Sequence, residues 1–124
     1  MNIFNTEAKT IVLNKIKNQD SGNLKFVRTD EANKENTGCD GDIFSIVKVL
    51  YDLQITSVIV EGGSQLIGSF IEAGCWDEAR VITNPHLLAF GGTAAPLLKS
   101  GLLTDTMNTS GDIIQYFINQ ETKV

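Results

Sequence analysis

The stretch VIVEGGSQLIGSFIEAG, Val58 to Gly74, constrains the fold of this chain more than any other. An apolar run, a carboxylate and two glycines are followed at once by apolar residues at helical spacing. That is the order of a strand that stops at a turn and feeds a helix. Ser57 to Val60 is short, rich in β-branched residues and does not alternate, as expected of a strand covered on both faces. Gly62 and Gly63 lack a Cβ, so the main chain can turn sharply there and a bound group can come close to it. From Ser64 onward, Leu66, Ile67, Phe70 and Ile71 form one helix face; Ser64 suits the N-cap and Gly74 the position just past the helix end. A helix that opens at such a turn presents unpaired N–H groups and the positive end of its dipole, for which an anion is the natural guest.

Spacing alone leaves alternatives open. The dinucleotide pattern GxGxxG is not met, because Gly63 is followed by Ser64 and the next glycine is Gly68; the P-loop ending of Gly-Lys-Ser/Thr is also missing. The turn therefore reads either as a phosphate seat or as a plain tight connection. Glu61 reads either as a ligand contact or as a hydrogen-bonding partner of the neighbouring helix end. Gly68, inside the helix, costs about 1 kcal/mol against alanine, which points to a close approach by a ligand or by a packed neighbour.

Composition narrows the classes. With 124 residues, 42% apolar and 20% charged, the chain is expected to form a single domain over 1–124 with a core of its own. A formal charge of -5 and a pI near 4.7 argue against a nucleic-acid partner, since no excess of Lys and Arg is present to neutralise phosphates. No apolar run approaches the roughly 18 residues of a membrane span and no signal peptide is visible, so a cytoplasmic, membrane-free protein is expected. Cys39 and Cys75 have neither C-x-x-C nor zinc spacing; no metal is expected and both thiols are expected to be reduced. His86, the only histidine, lies beside Pro85 and reads as a turn residue rather than a general base.

Along the chain, Lys9 to Leu13 and Leu24 to Val27 read as strands, and Ile16 to Asn23 as a loop. Thr29 to Gly41, charged and nearly free of apolar residues, reads as a solvated loop. Asp42 opens a helix carrying Ile43, Ile46, Val47 and Leu50 on one face and ending near Gln54. Asp77 to Thr83 reads as a strand. Asn84 to Pro96, with Gly91 and Gly92, is a loop long enough to suggest a binding element, although an irregular turn is the commoner explanation. Thr104 to Thr109 and Ile113 to Ile118 read as a hairpin across a three-residue turn, Ser110 to Asp112. The last strand is apolar on both faces, one of which suits a partner subunit. The sum is a three-layer α/β domain: strands near Lys9, Leu24 and Ser57 parallel, helices covering them, and an antiparallel hairpin at the C-terminal side.

The run from Val58 to Leu98 closely resembles the C-terminal reductase domain of the bifunctional riboflavin-biosynthesis deaminase/reductase. That family shows an apolar strand, V-E-G-G, a helix with small residues, A-G-x-x-D-E, a strand, and a loop with G-G and P-L. Glu61, Gly62, Gly63, Gly68, Ala73, Gly74, Asp77, Glu78, Gly91, Gly92, Pro96 and Leu97 occupy those places here. The resemblance implies a dihydrofolate-reductase-like fold, mostly parallel, that is incomplete at its N-terminus. It also implies an NADPH-dependent reduction in which the ribose of 5-amino-6-(5-phosphoribosylamino)uracil opens to a ribityl chain. On that footing Glu61 contacts substrate, and Gly62, Gly63, Ser64, Gln65, Leu66, Ile67, Gly68 and Ser69 hold the cofactor. The resemblance further implies a cytoplasmic homodimer acting on a phosphorylated ribosylaminopyrimidine. No residue stands out as a catalytic acid or nucleophile, and hydride transfer between well-placed partners needs none.

The departures carry expectations too. Neither H-x-E nor P-C-x-x-C occurs, so the zinc deaminase half is not in this chain. The family's first reductase strand has no counterpart near Asn2, and a chain with half of the pocket is not expected to turn over alone. A non-catalytic remnant that keeps the fold for nucleotide binding or oligomerisation is the alternative. No Arg or Lys lies close to the Gly62-Gly63 turn in sequence, so the choice between NADPH and NADH is not legible there.

Overall fold

A computed structural model describes residues 7–29 and 42–120. The expected solvated loop falls almost wholly on residues 30–41, with Cys39 among them, outside the described residues. The chain forms two compact units, Met1–Val58 and Ile59–Val124, each built around a three-stranded sheet.

In the first unit, β1 (Thr10–Asn14) pairs in parallel with β3 (Leu24–Arg28), and β3 pairs antiparallel with a short β2 (Gln19–Ser21), giving the order β1-β3-β2. The sequence reading placed β2 in a loop. Its three residues, Gln-Asp-Ser, are exposed and have little strand propensity, so the ladder to β3 makes the strand. Asn14 organises the passage from β1 to β2. Its Oδ1 accepts from the amides of Ile16 and Lys17, both at 2.8 Å, and its Nδ2 donates to the Lys17 carbonyl at 3.0 Å. Helix α1 (Asp42–Asp52) buries Ile43 and keeps Lys48 and Asp52 at the surface as an i,i+4 ion pair. It closes in a Schellman motif, with the Gln54 amide on Tyr51 (2.8 Å) and the Ile55 amide on Leu50 (3.0 Å). Gln54 takes the left-handed conformation this needs, at φ 58°.

In the second unit, α2 (Ser64–Glu72) precedes an antiparallel sheet of β4 (Glu78–Thr83), β5 (Leu102–Thr109) and β6 (Asp112–Ile118) in the order β4-β6-β5. Helix α2 ends as its sequence indicates: Gly74 has φ 66°, its amide donates to Ile71, and the Cys75 amide donates to Phe70. Phe70 is the buried residue of the helix. β6 lies between β4 and β5, so both of its hydrogen-bonding edges are paired, and Asp112 to Phe117 are half-buried. Asn119, just past β6, is buried; its Nδ2 donates to the carbonyls of Trp76 (2.9 Å) and Gly74 (3.4 Å), and its amide to Asp77.

Three further expectations are corrected. Ser57 to Val60 is not a strand: its backbone makes no ladder bonds among the described residues, and Val58 and Ile59 are exposed. The run lies where one unit ends and the next begins, and a β-branched run without an edge to pair with cannot satisfy its amides as a strand. Parallel pairing is therefore confined to β1 and β3 among the described residues, and the three-layer parallel arrangement does not extend to the Ser57 run. The hairpin turn has two residues: Ser110 and Gly111 both have positive φ, 50° and 91°, as a primed turn needs to match strand twist, and Asp112 already belongs to β6.

Candidate functional site

All nine sequence-predicted site residues lie in the second unit, on the turn into α2 and its first two turns. Gly62 has φ 138°, a conformation that a side chain would strain, and it swings the chain into Gly63. Gly63, at φ -70° and ψ 158°, is the N-cap in place of the expected Ser64; having no side chain, it caps nothing. The first helical bond is from the Ile67 amide to the Gly63 carbonyl, at 3.3 Å. The amides of Ser64, Gln65 and Leu66 consequently have no acceptor among the described residues, and the first turn carries no carboxylate.

This arrangement is open. A Cβ placed on Gly63 would meet nothing within 4 Å, so the approach to the three amides is clear, and Gly62, Gly63 and Gln65 are exposed. The donors suit a phosphate: N–H groups converge at the positive end of a helix of nine residues. Glu61 is exposed at the mouth of the turn. The other site residues are engaged differently. Leu66 leans back over Gly62, where its Cδ2 lies 3.8 Å from a built Cβ. Ser69 turns its hydroxyl onto the Gln65 carbonyl at 2.9 Å, a bond within the helix. Gly68 faces Pro96, whose Cβ lies 3.8 Å from a Cβ built at 68, so the loop after β4 packs on α2 at this point.

The sequence reading missed the side chains that hold this loop. Asn84 Oδ1 accepts from the amides of His86 (2.9 Å) and Leu87 (3.0 Å), and Asn84 Nδ2 donates to Asp112 Oδ1 at 2.7 Å. The Asn-Pro dipeptide signals the turn, but nothing in the sequence signals a partner 28 positions away. His86 is an exposed turn residue, as expected.

A hollow of about 460 Å³ in the first unit, lined by Asn18, Gln19, Lys25, Phe26 and Leu53 among others, contains none of the predicted site residues. It is wide open; Asn18 Oδ1 accepts from the Arg28 amide and Gln19 Oε1 from Lys17 Nζ, while the side chains of Asp20 and Lys25, which also line it, make no hydrogen bond among the described residues. Among the described residues no His, Cys, Asp and Glu cluster could hold a metal ion, and no helix is long and apolar enough to cross a membrane.

Comparison with known proteins relates the chain to a described family and to curated relatives. The model of a family described as the RibD C-terminal domain matches residues 1–113. Over 56 residues the chain is 46% identical to the riboflavin biosynthesis protein RibD of Bacillus amyloliquefaciens, a stretch covering 45% of this chain and 15% of that relative.

Proposed function

Because this chain belongs to the RibD C-terminal domain family, we propose that it is the reductase part of a riboflavin-biosynthesis enzyme, an oxidoreductase that uses a nicotinamide cofactor. The reading takes residues 1–124 as one reductase domain, acting on 5-amino-6-(5-phosphoribosylamino)uracil with NADPH, as a homodimer in the cytoplasm. The observation that carries it is the uncapped start of α2 behind Gly62 and Gly63, lying within the family match. There the amides of Ser64, Gln65 and Leu66 would hold the cofactor's phosphates, with Gly62 and Gly63 leaving room for them and residues 67–69 completing the helical wall. The dipole contributes about 0.3–1 kcal/mol to such a contact, so the hydrogen bonds supply most of the attraction. Glu61, at the mouth of the same turn, would accept hydrogen bonds from substrate hydroxyl or amino groups. Bound NADPH would supply the hydride; the chain's own contribution is to hold cofactor and substrate in register.

Thermal unfolding in the presence of NADPH, NADH or ADP tests the proposal. At a hundred times its dissociation constant NADPH adds about 2.7 kcal/mol of stability, a shift of several degrees. Stabilisation followed by NADPH oxidation on adding the pyrimidine supports the full reading. Stabilisation without turnover supports a non-catalytic nucleotide-binding remnant. If none of the three nucleotides at millimolar concentration raises the melting temperature, the cofactor site is refuted.

A further inference from the structure

The sheet of the second unit has one open face. On β4, Ala79 and Val81 are half-buried, while Glu78, Arg80 and Ile82 are exposed, Ile82 to 65%. Strand residues alternate between faces, so the register places every second residue of β6 and its partners on β5 on the same side as Arg80. They stand in three rows across the sheet. Ile82, Ile114 and Met107 make an apolar row; Arg80, Tyr116 and Asp105 make the middle one. Ile118 and Leu102 continue the apolar surface in the third row, with Glu78 at its outer corner. Met107, Leu102 and Ile118 are exposed as well. Asp105 reaches the middle row through an irregularity in β5: Leu103 lies opposite Phe117 and Asp105 opposite Tyr116, so Thr104 is an extra residue. With regular alternation Thr104 would oppose Tyr116, and Asp105 would fall on the other face. The Thr106 amide steadies the carboxylate, donating to its Oδ1 at 2.8 Å.

The middle row is charged in a self-complementary way. The Arg80 guanidinium lies 5.4 Å from the centre of the Tyr116 ring, Asp105 flanks Tyr116 on the other side, and neither makes an ion pair among the described residues. Two strand spacings of about 4.8 Å hold their backbones about 10 Å apart, across the intervening Tyr116. A second copy laid face to face about a two-fold axis along the strands sets β6 over the partner's β6 and β4 over the partner's β5. Arg80 then meets the partner's Asp105, Asp105 meets the partner's Arg80, and Ile82 meets the partner's Met107. A two-fold axis across the strands would instead oppose Arg80 to the partner's Arg80. We infer that this face is an interface between two copies of the chain, and that crossed Arg80–Asp105 pairs fix its axis. The bulge at Thr104 also bends the outer edge of β5, which works against edge-to-edge pairing of copies. The inference rests on the homodimer reading given above and says where the copies meet. From strand spacing and rise the face measures about 14 Å by 20 Å, small for such a contact, so association in the micromolar range is expected.

The test is sedimentation equilibrium over a micromolar dilution series, with far-UV circular dichroism to check that each variant is folded. It is run on the wild-type chain, on R80D, on D105R, on an equimolar mixture of those two variants, and on I82D. R80D leaves two carboxylates in the middle row and D105R leaves two guanidinium groups, so like charges meet across the axis in either. Each alone is expected to associate about tenfold more weakly than wild type. The mixture is expected to recover, because both crossed contacts then join opposite charges. I82D, which sets a carboxylate against the partner's Met107, is expected to weaken association by about tenfold or more. If R80D does not fold, D105R against D105N carries the comparison, with the larger loss expected in D105R. A dimer that withstands R80D and D105R, or I82D, overturns the assignment of this face while leaving the homodimer reading intact. A mixture that associates no better than its components, or equal losses in D105R and D105N, does the same. A wild-type chain that stays monomeric throughout the series overturns both.

Discussion

Replacing Gly68 with alanine tests whether α2 needs a glycine at its centre. A glycine in a helix interior is about 1 kcal/mol less favourable than alanine, and only a real need for close approach would outweigh that. The neighbour in the structure is Pro96, and a Cβ at 68 would stand 3.8 Å from the proline Cβ, an ordinary van der Waals separation. The new methyl would gain a few contacts of about 0.1–0.2 kcal/mol each and force nothing to move. G68A is therefore expected to stabilise the chain by about 1 kcal/mol. G68V adds two further carbons where that gap is already filled, and is expected to destabilise by about 1–3 kcal/mol. Urea unfolding followed by the fluorescence of Trp76, the only tryptophan, reads both. With a slope of about 1–3 kcal/mol per molar urea, the G68A midpoint should rise by about 0.3–1 M at constant slope. A lower midpoint at unchanged slope would refute the reasoning, because it would mean that backbone or ligand, and not a proline side chain with room to spare, sets the limit at this position.

The remaining predictions concern the turns and the polar clamp that shape the two units. Gln54 holds a left-handed φ at the end of α1, so Q54G should stabilise by about 0.5–1 kcal/mol, whereas G74A at the matching position after α2 should cost about 1 kcal/mol; thermal melts of the two variants should move in opposite directions. S110N should raise stability by a few tenths of a kcal/mol, since asparagine tolerates the φ of 50° at the first turn position better than serine; equilibrium unfolding checks this. N119A leaves the Trp76 carbonyl without its side-chain donor in a buried place, and a loss of about 1–3 kcal/mol should appear in urea titration.

What the sequence determined by itself is local. The Leu66, Ile67, Phe70, Ile71 stripe and Gly74 mark α2 and its end because helix periodicity and the left-handed stop involve residues within a few positions of one another. Ser110 and Gly111 mark the hairpin for the same reason, and the Gly62-Gly63 turn could be read as an opening toward α2 because a missing Cβ is visible in the sequence. Turn composition suggests three residues and the structure has two, since strand register rather than turn composition decides where β6 begins. The tertiary structure decided what depends on distant partners. Val58 and Ile59 have every local mark of a strand, yet a strand exists only when another edge accepts its amides, and none does here among the described residues. Gln19 to Ser21 have none of those marks and pair all the same, because β3 is alongside. Asn84 meets Asp112 across 28 positions and Asn119 reaches Trp76 across 43. A hydrogen bond is fixed by proximity in space, and no spacing rule within the chain foretells which two distant residues the fold will bring within 3 Å of each other.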